Sequence, residues 1–566
     1  MSIPRTILAE GTLGDLDLRC VAGTVPAGLT GEVFISTSEP ETAGAHAFFG
    51  DGMMVRLSLQ PGTHGADGDR WAWRVRKLDT ASARLRAARP DAFESGVLGT
   101  MSPFGFSNAA NTAPLPWGDR LFATWDAGRP VEVDPVTMAT LGEVGHRDDW
   151  DPTMDLPVLP MVNSTAHPVI DPERDCLWTV SFNPMAGGLS LVRWSGDGCR
   201  VDRWPVRDGV IPQSVHTITQ TRDWLLVADC AFRVDPAELF GGERTMTTLP
   251  DEPVYLIRKD DVAATPPGQE IPATVVRVGP EVMHYYAVYD DAEGITVLFE
   301  HTPEQDLAMT LRPGDLDALG RPVDPALVGM YTHPMSPSRT SLLRFDPASG
   351  TVTERATICA PDRYWATQLS AMDWSREGQA APTVHHVLTS GFHPEVVTQR
   401  ALALYGDRVD PASLPAEEVP PTLVTLDRAD LSPLRDWSFA PGDYPSSPCF
   451  VPADPGAGAS RYAGSSPGGH EGWLVVPVLN DDGFRVEVFD AADVSRGPEA
   501  VLAASGGRTV PFLIHSAWMP RAVPAPTDVE RLRFADELDD GRLSALPDDL
   551  AEVARGVADD LTAAGR

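Results

Sequence analysis

The chain has 566 residues, 45 basic and 80 acidic side chains, and a formal net charge of −35. Hydrophobic residues make up 42% and charged residues 22%, the composition of a globular chain and not of a disordered one. The charge disfavours nucleic acid, whose phosphates would be repelled, and an anionic membrane surface; no basic cluster overrides it. Lys77 and Lys259 are the only lysines, so lysine Schiff-base chemistry is disfavoured. The six cysteines, at 20, 176, 199, 230, 359 and 449, form no CxxC pair. They read as reduced thiols and not as a zinc knuckle or disulfide framework. The first 19 residues carry no apolar signal core, and no run of 18 apolar residues occurs. The expected location is the cytoplasm.

In chain order, short runs rich in β-branched, leucine and aromatic residues recur at 177–182, 224–228, 253–257, 295–299, 473–476 and 485–489. Turn residues bound each run, which predicts strands. Between such runs a device repeats in which a strand closes on Asp-Pro: Asp134-Pro135, Asp171-Pro172, Asp235-Pro236 and Asp346-Pro347. Aspartate accepts a local backbone bond there and proline fixes φ. Repeated antiparallel hairpins predict an all-β chain with radial repetition, a β-propeller; a pair of sandwiches fits the same pattern. Loops are expected at 61–68 and at 453–472. From Arg521 onward the chain is Pro-rich and then acidic, and it ends in an amphipathic helix over 548–561 with Leu550, Val553, Val557 and Leu561 on one face. The expected division is residues 1–520 as the β unit and 521–566 as an acidic, partly helical extension. That extension packs on the rim, mediates self-association or is solvated.

Formal motif matches carry little. Gly464-Ser-Ser466-Pro-Gly468 fits GxSxG, but Pro467 has no N–H for an oxyanion hole. His385, His386 and His393 have no recognised ligand spacing and read as ordinary strand and loop histidines. Four others stand at or beside strand ends: His167 in Asn163-Ser-Thr-Ala-His-Pro, His216 in Gln213-Ser-Val-His, His301 after Val297-Leu-Phe-Glu, and His515 closing Val510-Pro-Phe-Leu-Ile-His. In a propeller the inner strands converge on one axis, so histidines far apart in sequence can meet on one metal.

These segments resemble the carotenoid cleavage oxygenase family. Gly23-Thr-Val-Pro-Ala-Gly-Leu-Thr-Gly31 is similar to its opening strand, and Phe48-Phe-Gly-Asp-Gly-Met-Met54 to its F-D-G-D-G-M turn. Asn111-Thr112 with Arg120-Leu-Phe-Ala-Thr-Trp-Asp-Ala-Gly128 resembles N-T…L-L-A-L-W-E-x-G. Thr165-Ala-His-Pro168 matches T-A-H-P, and 510–515 resembles V-P-F-G-F-H. The resemblance runs from about residue 10 to 520. It implies a seven-bladed β-propeller with a loop and helix cap over the iron-bearing face. It also implies a non-haem Fe(2+) held by His167, His216, His301 and His515 as metal ligands and catalytic centre. Imidazole suits ferrous iron and leaves it doubly positive.

The chain departs from the family at the carboxylates that hold the ligating rings. Asp126 stands where a glutamate is expected, one methylene shorter, and is the expected partner of a ligating histidine. Ser447 stands at a second glutamate's place; the segment of a third is not recognisable, and Glu418 in Glu417-Glu-Val-Pro420 is the candidate for it. Thr217 replaces an aspartate. Weaker anchoring predicts looser or altered iron. Trp125 stands where stilbene-cleaving relatives often carry lysine.

The expected function is therefore a dioxygenase that splits a C=C bond of an apocarotenoid-like polyene into two carbonyls, with O2 and a small apolar or aromatic alkene as partners and no nucleic acid. Cleavage of a stilbene or phenylpropenoid side chain, and a non-catalytic propeller binding module, are the alternatives. Relatives often dock on lipid, but no segment here stands out for it, and the oligomeric state is left open.

Overall fold

The computed structural model describes residues 14–566 apart from 231–234, 238–241, 246–248, 289–293, 302–309, 332–338, 372–382, 405–409, 454–470 and scattered single or paired positions. The serine motif at 464–468, most of the 453–472 loop and part of the Asp235-Pro236 turn lie outside these residues.

The fold is all-β and propeller-like. Five four-stranded sheets follow one another along the chain, and one eleven-stranded sheet joins the two chain ends. Within each small sheet the strands pair antiparallel between chain neighbours, the local connectivity that short turns favour. The Asp-Pro device builds several of these turns. Asp134 Oδ1 accepts from the N–H of Val136 and Thr137, Asp171 Oδ1 from Glu173 and Arg174, and Asp346 Oδ1 from Ala348 and Ser349.

The core is divided among the seams between neighbouring sheets, and the seams close a ring. Leu177, Val192 and Trp194 of one sheet meet Trp117 and Phe122 of the sheet before it. Val180 and Leu191 meet Leu225 and Ile257 of the sheet after it. Val254 and Val276 then meet Val297 and Phe345. Leu388 and Leu423 meet Leu474 and Phe489 of the large sheet, and Phe34 and Met54 of that sheet return to Leu121 and Val131. Burying each of these side chains is worth about 1.5–3 kcal/mol, so every seam is a substantial part of the fold. The ring is closed by hydrogen bonds between chain ends: Leu16–Gly23 pairs with Ala500–Ala504, and Glu32–Ser38 with Leu513–Met519.

Residues 521–566 lie against the sheets. Helix Asp548–Ala563 buries Leu550, Ala554, Val557 and Leu561 against Leu85, Phe104, Val158 and Leu159. The periodicity read from sequence is the packed face, with Val553 at its margin. Arg129 is buried between Glu537 (2.7 and 2.8 Å), Glu143 and the Gly145 carbonyl (2.7 Å). Glu132 receives Arg120 and Arg531 at 2.7–2.9 Å.

Candidate metal centre

The innermost strands place the site. Val169–Asp171 and Ile218–Gln220 are each the first strand of a sheet, and His167 and His216 stand two residues before them. These two lead-in segments hydrogen-bond to each other: the His167 N–H donates to the His216 carbonyl (3.2 Å) and the Ile218 N–H to the His167 carbonyl (3.3 Å). Thr165 Oγ1 also donates to the His216 carbonyl at 2.6 Å. The Thr-Ala-His-Pro segment is thereby locked to the neighbouring blade.

One ring nitrogen from each of His167, His216, His284 and His515 lies within 4.8 Å of those of the other three. Ring centroids are 4.8 Å apart for His167 and His216, 5.0 Å for His216 and His284, 5.3 Å for His284 and His515, and 4.4 Å for His167 and His515. His216 and His284 are buried, while His167 and His515 are partly exposed.

Three of the four histidines singled out from sequence meet here, and His301 does not. His301 ends the second strand of its sheet, Ile295–His301, opposite Val282, and its ring stacks on Phe299 at 6.3 Å. The residue in the cluster is His284 on Val282–Ala287, the innermost strand of that sheet. Strand order is the reason: only the first strand of a blade faces the axis, and His301 sits one strand further out. The signal was available, because His167 and His216 both precede first strands and His284 lies within the next one.

Two of the four histidine positions coincide with irregular pairing. The ladder shifts register between Val282 and His284, and again between Ile35 and Thr37 opposite the segment that carries His515. Such bulges re-aim a side chain that regular alternation would turn away.

Carboxylates back two of the rings. Asp126 Oδ2 lies 2.8 Å from His216 Nδ1, and Oδ1 also accepts from the Ala166 N–H at 2.9 Å. Asp126 thus ties the His216 ring to the His167 segment. Glu300 Oε2 lies 3.3 Å from His284 Nδ1; nothing in the sequence motifs had marked it. Glu418 lies 3.8 Å from His393 Nδ1, and the Ser447 hydroxyl lies 3.3 Å from that of Ser446. His386 Nδ1 lies 3.0 Å from Thr425 Oγ1 and His393 Nε2 2.8 Å from the Ser390 carbonyl.

Burial and the neighbouring imidazoles hold His167 and His515 well below the ordinary histidine range. Burial lowers His284 too, against the opposing pull of Glu300. All three are neutral at pH 7, the protonation state that offers a lone pair to a metal. Nε2 of His167 and Nε2 of His284 are buried with no protein hydrogen-bond partner among the described residues. Buried polar atoms are normally paired, so convergent unpaired imidazole nitrogens fit a metal ion. Four imidazoles without thiolates suit a borderline divalent ion such as Fe, Co or Zn.

Trp125, adjacent to Asp126, packs with Phe49, Ala109 and Tyr331, and its ring stacks on Phe106 at 5.7 Å. Neither lysine belongs to this aromatic group. Lys77 pairs with Glu39 (2.6 Å) and Asp51 (3.2 Å), and buried Lys259 with Asp171 (2.8 Å).

Known proteins share this fold. The retinal pigment epithelial membrane protein family profile matches residues 6–520. The apocarotenoid-15,15'-oxygenase of Synechocystis sp. is 24% identical over 446 residues, covering 75% of each chain. Resveratrol cleavage oxygenase 1 of Chaetomium globosum is 29% identical over 270 residues, 43% of this chain and 40% of that protein. Cobalt-substituted Synechocystis apocarotenoid oxygenase superposes with a TM-score of 0.60 at 20% identity, over 91% of this chain and 98% of that one. A variant of the same enzyme gives 0.62 at 19% identity over the same shares. The chain belongs to the retinal pigment epithelial membrane protein family, and the relatives it matches are oxygenases.

Proposed function

We propose that the protein holds a ferrous ion with His167, His216, His284 and His515 and oxidatively cleaves a C=C bond of an apolar conjugated alkene. Carrying this reading is the convergence of four imidazoles with buried, unpaired Nε2 atoms on two of them. When bound, the ion supplies the activation of dioxygen that protein side chains cannot provide. The chain's own residues do the rest. Asp126 accepts from Nδ1 of His216, which leaves the lone pair on Nε2 and fixes the ring's orientation. Four neutral ligands leave the full metal charge available at the site. The Trp125 group, next to Asp126 in sequence, would offer a flat apolar surface to a planar chain.

Within that reading, an apocarotenoid-like polyene is the favoured substrate. No ammonium stands in the Trp125 group to pair with a phenolate, since both lysines are held elsewhere by carboxylates. The Synechocystis relative is named for apocarotenoid cleavage and is matched over more of the chain than the resveratrol-cleaving one. Tyr331 puts a phenol in the same group and favours a stilbene as the second reading. Oxygen uptake and carbonyl products from an apocarotenal and a 4-hydroxystilbene, with iron-reconstituted protein, separate the two. Turnover of the polyene is expected; turnover of the stilbene alone would overturn the substrate assignment. Iron binding without turnover of either would favour a binding module.

The same proposal extends to architecture. The eleven-stranded sheet packs its N-terminal strands on its C-terminal ones through Val33, Val55, Trp73, Val475, Val486 and Leu502, the packing of two blades, which would make seven. Residues 521–566 would then be a structural brace on a propeller of residues 1–520. The six cysteines form no disulfide with one another, which favours a reducing compartment, the cytoplasm.

A further inference from the structure

We propose that Glu300 is the positioning residue for His284, taking the place that the sequence comparison left to Glu418 or Ser447. The inference rests on the four-histidine reading and adds a residue to it. His284 and Glu300 are direct cross-strand partners in the ladder between Val282–Ala287 and Ile295–His301. Directly opposed side chains on one face meet at close range. The register shift after Val282 is what makes them partners; regular pairing would set Met283 opposite Glu300. Glu300 is 1% exposed and His284 2%.

The carboxylate is incompletely satisfied by protein. Oε1 accepts from the Ser370 hydroxyl, supplied by the innermost strand of the next sheet, Thr367–Ala371. Oε2 has His284 Nδ1 as its neighbour at 3.3 Å and no well-formed hydrogen bond. Among the described residues no arginine or lysine reaches it. Burying a carboxylate in this way is costly unless it is offset. An acceptor at Nδ1 holds that ring nitrogen as the N–H and leaves the lone pair on Nε2, which is unpaired and belongs to the cluster. A metal there would draw density from the ring, strengthen the Nδ1–H donor and give Glu300 its missing partner. Ser370, Glu300 and His284 thus form a line of contacts across two neighbouring sheets that leads to the histidine cluster. It is the counterpart of the Asp126 contact to His216.

Cobalt(II) titration against a competing chelator, its absorption spectrum and the melting temperature of metal-free protein test this on the full chain. Glu300→Gln is expected to weaken cobalt binding about 10- to 100-fold and to alter the spectrum, while the metal-free protein melts no lower than wild type. Glu300→Asp should recover part of the affinity. Ser370→Ala, which keeps the carboxylate, should loosen cobalt by about threefold, and it serves if Glu300→Gln does not fold. Affinity unchanged in both variants, or a metal-free protein destabilised as much as the loaded one, would overturn the role. Wild-type protein that binds no cobalt would overturn the four-histidine reading itself. Cobalt lost in His284→Ala but retained in Glu300→Gln would overturn only the present inference.

Discussion

Two of the buried polar assemblies among the described residues contrast, one at the convergence of the inner strands and one beneath residues 521–566. Under the C-terminal residues, guanidiniums and carboxylates are matched to each other: Arg129 with Glu537 and Glu143, Glu132 with Arg120 and Arg531, Arg566 with Asp79 at 2.6 Å. At the inner strands, Nε2 of His167 and His284 and Oε2 of Glu300 are buried without protein hydrogen bonds. Self-matched charge holds two parts of a chain together. Unmatched polar atoms that converge are completed by something the chain does not contain.

The contrast makes opposite predictions for the two regions. The largest stability effect belongs to the matched one. Glu537→Ala leaves Arg129 buried without its bidentate partner and removes the acceptor of the Arg147 N–H at 2.6 Å. A loss of about 3–5 kcal/mol is expected in urea unfolding, with metal content unchanged. Loss of metal with full stability would break the comparison.

Next in size is Asp126→Ala, which is expected to weaken metal binding about 10- to 100-fold, equivalent to about 1.4–2.7 kcal/mol, with little change in the melting point of metal-free protein. Chelator competition measures the first and calorimetry the second. An Asp126→Ala protein that melts far lower without metal would mean that Asp126 serves the fold and not the site.

A smaller, graded effect is expected from acid. Burial pushes the Glu537 carboxyl up, but Arg129 and the Arg147 N–H hold it, on balance, below the ordinary glutamate range. A depressed carboxylate contributes stability above its unfolded value of about 4.3 and loses it as pH falls through the folded value. The melting temperature should therefore fall as pH drops below about 4, and the fall should be shallower in Glu537→Gln. Equal slopes would show that this pair is not coupled to folding.

Ser447→Glu is expected to do least. Ser447 is buried, has a φ of +48° and stands within 3.3 Å of the Ser446 hydroxyl, so a longer side chain has a constrained backbone and little room. No gain in metal retention is expected. A clear gain would show that this position still addresses the site.

Much of this was legible in the sequence. Asp-Pro turns and short apolar runs marked the hairpins, and the 548–561 periodicity marked the helix that packs on Leu85 and Phe104. Asp126 was found because Trp125-Asp126 sits in a recognisable motif, and its carboxylate does reach a ring of the cluster. His284 was missed because a histidine next to an apolar run looks the same on a first strand as on a second; only strand order separates it from His301. Glu300 was missed for a deeper reason. Its partner is set by a one-residue register shift, and a bulge leaves no mark in the hydrophobic pattern. The closure of the ring by chain ends nearly 500 residues apart was equally silent, since strand pairing at that separation is written in no local motif.

The central claim is that His284, and not His301, completes the metal centre. Metal analysis of anaerobically purified, Fe(II)-reconstituted wild type, His284→Ala and His301→Ala tests it directly. Near-stoichiometric iron in wild type and His301→Ala, with loss in His284→Ala, is the predicted result. Iron retained in His284→Ala and lost in His301→Ala would contradict the account.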